Sequence, residues 1–183
     1  MLDYELQIAV IGAGHGGKAM AAELAVRGYT VRLYNRSYEH IEDIAARGGI
    51  EVTLEDGEQE FGPVAYVTSD MAFALTGAKL VMVVVPASAH RDIAIACAPH
   101  LRDGQIVVLN PGRTGGALEF RNVLRENDCT ADVIIAEAET FLFASRSNGP
   151  AQAQIFRRKN TVPLAALPST RTGEVLDVLQ EVY

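Results

Sequence analysis

Gly12, Gly14 and Gly17 fall in a G-x-G-x-x-G arrangement within Gly12-Ala13-Gly14-His15-Gly16-Gly17. Glycines at that spacing can build a turn that carries phosphate groups. Gly12 permits a tight strand-to-helix bend, Gly14 leaves the main chain bare enough for a pyrophosphate to approach, and Gly17 lets the next helix pack close to its sheet. The helix start then offers free N–H groups and the positive end of its dipole to an anion. Glycine is common, so the setting of the motif decides its meaning. Leu6 to Ile11 is an apolar run fit for a strand covered on both faces. Gly17, Met20, Ala21, Leu24 and Ala25 then recur at helical spacing, and Thr30 to Tyr34 restarts a strand pattern. Strand, glycine turn, helix and strand together predict a dinucleotide site, with Ala13, His15 and Gly16 completing the pyrophosphate loop.

A second set of candidates ends the second strand. About 20 residues past the glycines, NAD-binding turns place an acidic residue on the ribose 2′-hydroxyl. Here Asn35, Arg36 and Ser37 stand there instead. No carboxylate repels a 2′-phosphate, and Arg36 offers a multidentate donor to one. The expected cofactor is therefore NADP, with NAD as the alternative. A plainer reading makes Arg36 a solvated side chain and Ser37 the cap of the next helix.

Ligands of an open α/β sheet lie beyond the carboxyl ends of its strands. That places Val85 and Pro86, Asn110, and Glu137 as walls around a nicotinamide. Asn110 could bond the carboxamide or ribose; Glu137 could orient a substrate amine or cap neighbouring N–H groups. Strand-end Asn and Pro are also ordinary turn residues. For proton transfer, His15 lies inside the loop, while His40 and His100 fall on solvated helix ends. His90 is near a strand exit, though a helix-start polar residue is the simpler reading. No Ser-His arrangement, His-Asp pair or metal spacing is evident.

The elements that must hold these residues alternate along the chain. Tyr38 to Arg47 reads as a helix, then Ile50 to Leu54 and Glu60 to Thr68 as a hairpin around Asp56-Gly57, with Pro63 marking an edge or bulge. Asp70 or Ser69 caps a short helix through Leu75. Leu80 to Val85 is the most apolar strand and the expected sheet centre. Pro86 stops it and Ser88 opens a helix from Ala89 to His100. Gln105 to Leu109 is a strand, Thr114 caps a helix bearing Ala117, Phe120 and Leu124, and Val133 to Ala136 is another strand. This alternation implies an α/β fold with a doubly wound, mainly parallel sheet. Phe141 to Arg146, Ala151 to Arg158 and Thr161 to Leu167 are expected to extend that sheet as antiparallel strands. Thr170 to Val182 reads as a final helix whose apolar stripe of Val175, Leu179 and Val182 stops at Tyr183, which suggests that the natural polypeptide continues.

The 183 residues, 49% hydrophobic, suit one domain with a substantial core. A net charge of −7 argues against nucleic acid and anionic membrane. Arg157-Arg158-Lys159 reads as a solvated strand end. Cys97, on a helix, and Cys129, in a loop, read as reduced thiols of a cytoplasmic protein. Asp3 and Glu5 interrupt any secretory signal.

The chain resembles the N-terminal domain of the opine dehydrogenases, the octopine/nopaline and carboxyethyl-norvaline dehydrogenase family. The resemblance runs from Ile8 to the end. It rests on the glycine motif, on Val83-Val84-Val85-Pro86-Ala87, and above all on Leu109-Asn110-Pro111-Gly112-Arg113-Thr114-Gly115-Gly116-Ala117-Leu118-Glu119-Phe120. Glycerol-3-phosphate dehydrogenases and ketopantoate reductases are similar in the first two motifs only. The resemblance implies a Rossmann domain followed by a helical one that holds a His-Asp pair. It also implies NADH- or NADPH-dependent reduction of the imine formed by an amino acid and a 2-oxo acid. No catalytic residue carries over to this chain, which alone is expected to be inactive. Asn35-Arg36 departs from the acidic residue of NAD-using members. A domain with its partner half missing could form a homodimer, and a free-standing NAD(P)-binding module is the non-enzyme alternative.

Overall fold

The computed structural model describes residues 6–183, so Asp3 and Glu5 lie outside the described residues. Two sheets form. The larger has seven strands in the order β11-β8-β7-β6-β1-β2-β5. Its members are β1 (Gln7–Ile11), β2 (Thr30–Tyr34), β5 (Tyr66–Thr68), β6 (Leu80–Val83), β7 (Ile106–Leu109), β8 (Ile134–Ala138) and β11 (Leu164–Leu167). Every neighbouring pair is parallel except β11 with β8. β6 occupies the middle, as its unbroken apolar run predicts. Strand order reverses between β1 and β6, so the crevice of a doubly wound sheet opens beyond Ile11 and Val83.

The smaller sheet has the order β4-β3-β10-β9, built from β3 (Gly49–Thr53), β4 (Gln59–Pro63), β9 (Phe143–Gly149) and β10 (Gln152–Arg158). Here the structure corrects the sequence reading. β9 and β10 are antiparallel to each other, but they do not extend the main sheet; β10 runs parallel beside β3. Only the third tail segment, as β11, adds an antiparallel strand to it. The run from Glu60 to Thr68 also divides. Pro63 ends β4 on the edge of the small sheet, and β5 crosses to the edge of the large one.

Helix α1 (His15–Val26) lies between the two sheets. Gly62 of β4 rests on it so closely that a Cβ there would come 2.5 Å from the Ala22 carbonyl oxygen. This explains its composition: nine of its twelve residues are buried, where a one-sided stripe was expected. Alternate residues of β1 serve opposite cores. Ile8 and Val10 face α1 and the last helix, α6 (Thr172–Val182), while Ala9 and Ile11 face the other layer. That layer holds α3 (Met71–Leu75), α4 (His90–Cys97) and α5 (Gly116–Glu126). Phe120 of α5 is fully buried there; burying such a ring stabilises by about 1.5–3 kcal/mol.

Local boundaries shift for local reasons. Tyr38–His40 forms a 3-10 turn before α2 (Glu42–Arg47), with Ile41 at the joint, so the expected single helix is two pieces. Ala87–Ala89 likewise forms a 3-10 turn after Pro86, and α4 starts at His90 rather than near Ser88. Asp70 caps α3 as expected, accepting from the Ala72 and Phe73 amides. Cys97 is buried, Cys129 half-buried, and both thiols are free; burial pushes the Cys97 thiol up to about 12. No helix among the described residues is long and apolar enough to cross a membrane.

Candidate functional site at the strand exits

The glycine turn sits at the carboxyl end of β1, beside the end of β6. Gly12 has φ +110°, and a Cβ there would meet the Val84 carbonyl oxygen at 2.4 Å and Val85 Cγ1 at 2.7 Å. Gly17 is tighter still, since its Cβ would fall 1.7 Å from the Gly12 carbonyl oxygen. These two positions are glycine because the protein's own packing demands it. Gly14 differs: a Cβ there would meet no protein atom within 4 Å. Gly14 is also the N-cap of α1, where no side chain caps the helix and no acidic residue lies in the first turn. The first turn of an uncapped helix of this length can hold an anion by its amides and dipole.

Neighbouring side chains brace that turn. Asn35 Oδ1 accepts from the Ala13 amide (3.2 Å), and its Nδ2 donates to the Ser37 carbonyl (2.9 Å). Asn35 therefore ties the glycine turn to the exit of β2. Arg36 beside it reaches into solvent, its side chain 83% exposed, with Nη1 4.0 Å from Asp92 Oδ2. His15 Nδ1 accepts from the Ser147 amide of β9 at 2.9 Å, so its ring is turned to the small sheet. Gly16 faces the Phe141 ring, 3.0 Å from where a Cβ would stand.

Sequence reasoning missed Lys18, Phe141 and Ser147. Lys18 is nearly buried, and its Nζ donates to Ser147 Oγ (3.2 Å) and the Gly149 carbonyl (3.3 Å). Burial holds its pKa below the ordinary lysine range, opposed by the charge of Asp43. A lone lysine among small residues of a helix was the signal available. Phe141 and Ser147 carried none, because their contacts cross more than a hundred residues of chain.

The other strand exits behave differently. Val85 is half-buried and Pro86 exposed at the mouth of the crevice. Asn110 is buried, and its amide donates back to the Val108 carbonyl at 2.9 Å. Glu137 takes the capping role: its Oε2 accepts from the Ala117 amide at 2.7 Å. The N-cap of α5 is Gly115, at φ +82°, rather than Thr114. His90 is 1% exposed, with neither ring nitrogen bonded to protein. Burial lowers its pKa against the opposing charges of Glu119 and Glu137. Its Nδ1 would lie 3.3 Å from a Cβ placed on Gly116. His40 is exposed and His100 half-buried past the end of α4. The described residues include no cluster fit to hold a metal ion.

A doubly wound sheet with an uncapped glycine turn at its switch point defines a nucleotide-binding α/β domain. Residues 7–119 match the family model described as NAD-dependent glycerol-3-phosphate dehydrogenase N-terminus, and the chain belongs to that family. It is also a homologue of opine dehydrogenase. It is 38% identical to the opine dehydrogenase of Arthrobacter sp. (strain 1C), covering 95% of this chain and 48% of the relative. The glycerol-3-phosphate dehydrogenase [NAD(P)+] of Anaeromyxobacter sp. (strain K) is 25% identical, over 97% of this chain and 51% of its own length. The solved structure of octopine dehydrogenase with NADH and L-arginine superposes with a TM-score of 0.83 at 24% identity, covering 97% of this chain and 46% of that one. The chain thus spans about half the length of the curated relatives it matches.

Proposed function

We propose that the chain is the NADP-preferring coenzyme domain of an opine dehydrogenase-like oxidoreductase. The observation that carries this reading is the bare first turn of α1, where Gly14 presents main chain with no protein atom in front of it. The amides of the Gly12–Gly17 turn hold the pyrophosphate, Asn35 fixes the turn, and Arg36 binds the 2′-phosphate of the adenosine ribose. Val85 and Pro86 border the nicotinamide, with Asn110 setting the wall behind them. The coenzyme supplies hydride. The chain's residues position it and leave its nicotinamide end at the mouth of the crevice.

The 38% identity to an opine dehydrogenase supports reduction of an imine formed by an amino acid and a 2-oxo acid. The proton-handling residues belong to a second, helical domain, since His90 is buried and His15, in the glycine turn, is held to Ser147 of the small sheet. Relatives of about twice this length support that division. In this reading the enzyme is cytoplasmic, and the isolated coenzyme domain self-associates through the face the second domain covers.

Titration with NADPH and NADH by quenching of nicotinamide fluorescence tests the coenzyme part. NADPH should bind more tightly, and Arg36→Asp should reverse the order. NADH binding ten times more tightly than NADPH would remove Arg36 from its role. A protein extended by the second domain should oxidise NADPH with pyruvate and a member of an amino-acid panel.

A further inference from the structure

Arg36 has a neighbour that bears on its use. Asp92 stands in the first turn of α4, and Arg36 follows two residues after the end of β2. Its Oδ2 lies 4.0 Å from Arg36 Nη1, and the two side chains are 69% and 83% exposed. The adjacent cation, Arg91, does not neutralise Asp92, because its guanidinium is paired with Glu126 at 3.0 Å. A carboxylate therefore sits beside the guanidinium to which a 2′-phosphate would bind.

We propose that Asp92 is a specificity-determining residue that competes with the 2′-phosphate for Arg36. The inference rests on the coenzyme reading given above. A 2′-hydroxyl leaves the Arg36–Asp92 pair intact. A 2′-phosphate carries about −2 charge, so it must draw Arg36 away and then sit near a carboxylate of like sign. Asp92 thereby narrows the advantage of NADPH over NADH and lets the domain use both. The pair is exposed, so its effect is a few-fold and falls with salt.

The test is a fluorescence titration of the 183-residue chain with NADPH and with NADH. The variants are Asp92→Asn, Asp92→Ser, Arg36→Ala and Asp92→Asn combined with Arg36→Ala. Both neutral substitutions at 92 should tighten NADPH about threefold while leaving NADH unchanged. The gain should vanish in the Arg36→Ala background and shrink at about 0.5 M salt. If Asp92→Asn leaves NADPH unchanged, or tightens both coenzymes equally, while Arg36→Ala still weakens NADPH, the competition is overturned and the role of Arg36 stands. If Arg36→Ala changes neither coenzyme, the underlying reading fails, and this inference with it.

Discussion

Two glycine-rich turns leave the carboxyl ends of parallel strands in the large sheet, and their helices begin in opposite ways. At the first, from Gly12 to Gly17, α1 starts with no side chain on its amides. At the second, from Asn110 to Gly116, the Glu137 carboxylate already occupies the start of α5. Both turns contain glycines forced by contact. Gly17 abuts the Gly12 carbonyl, and a Cβ on Gly112 would come 2.1 Å from that of Glu137. Glycine content therefore reports close packing in both places. What separates a candidate anion site from a closed structural joint is the fate of the first-turn amides.

Several substitutions would break or sharpen that contrast. The greatest loss is expected from Gly17→Val, which drives a side chain into the Gly12 carbonyl with only backbone to yield. It should cost about 3 kcal/mol or more and abolish coenzyme binding. A thermal midpoint equal to that of the wild type would show the packing to be wrong. Next comes Glu137→Ala, which uncaps α5 and should cost about 1–2 kcal/mol. Added sulfate should restore part of the lost midpoint in this variant more than in the wild type, because the second turn would then resemble the first. A stability unaffected by the substitution would remove the capping role.

The third effect depends on pH. His90 beside the second turn is held neutral by burial, below the ordinary histidine value of 6.5. The unfolded chain takes up a proton near 6.5 and the folded one only at lower pH. Stability should therefore be full above about pH 7 and decline as pH falls through that window. His90→Gln should flatten this part of the curve in urea unfolding, and an unchanged slope would contradict a neutral buried ring. The smallest effect on folding is expected from Gly14→Ala, at an ordinary φ of −72° with no protein atom within 4 Å. Stability should stay within about 0.5 kcal/mol or rise slightly, while coenzyme affinity falls at least about tenfold (1.4 kcal/mol). Affinity unaffected by the new methyl would place the ligand elsewhere.

Local signals carried most of the large sheet. Apolar runs bounded by turn residues marked β1, β2, β6, β7 and β8, and the motif with its flanking elements located the first turn. The small sheet was not legible because β10 joins β3 across about a hundred residues, with Gln152 opposite Glu51. Alternation identifies a strand without naming its neighbour. The same blindness hid the bracing of the first turn by Ser147. The Arg157-Arg158-Lys159 run misled for a related reason. Arg158 is drawn inward to Glu23 of α1 and lies over the Tyr183 ring, whereas Arg157 and Lys159 stay in solvent. Glu137 was read as either a ligand or a cap; only the position of α5 beside β8 could decide.

Lodged between two sheets, α1 has no free side along which to slip. A load on its amino end passes to the large sheet through the Gly12–Gly17 contact and to the β9–β10 hairpin through His15 and Lys18. The hairpin is thus tied to the turn by side-chain hydrogen bonds at both Ser147 and Gly149. Amide hydrogen exchange around Ser147 and Gly149 should slow when a ligand occupies the glycine turn.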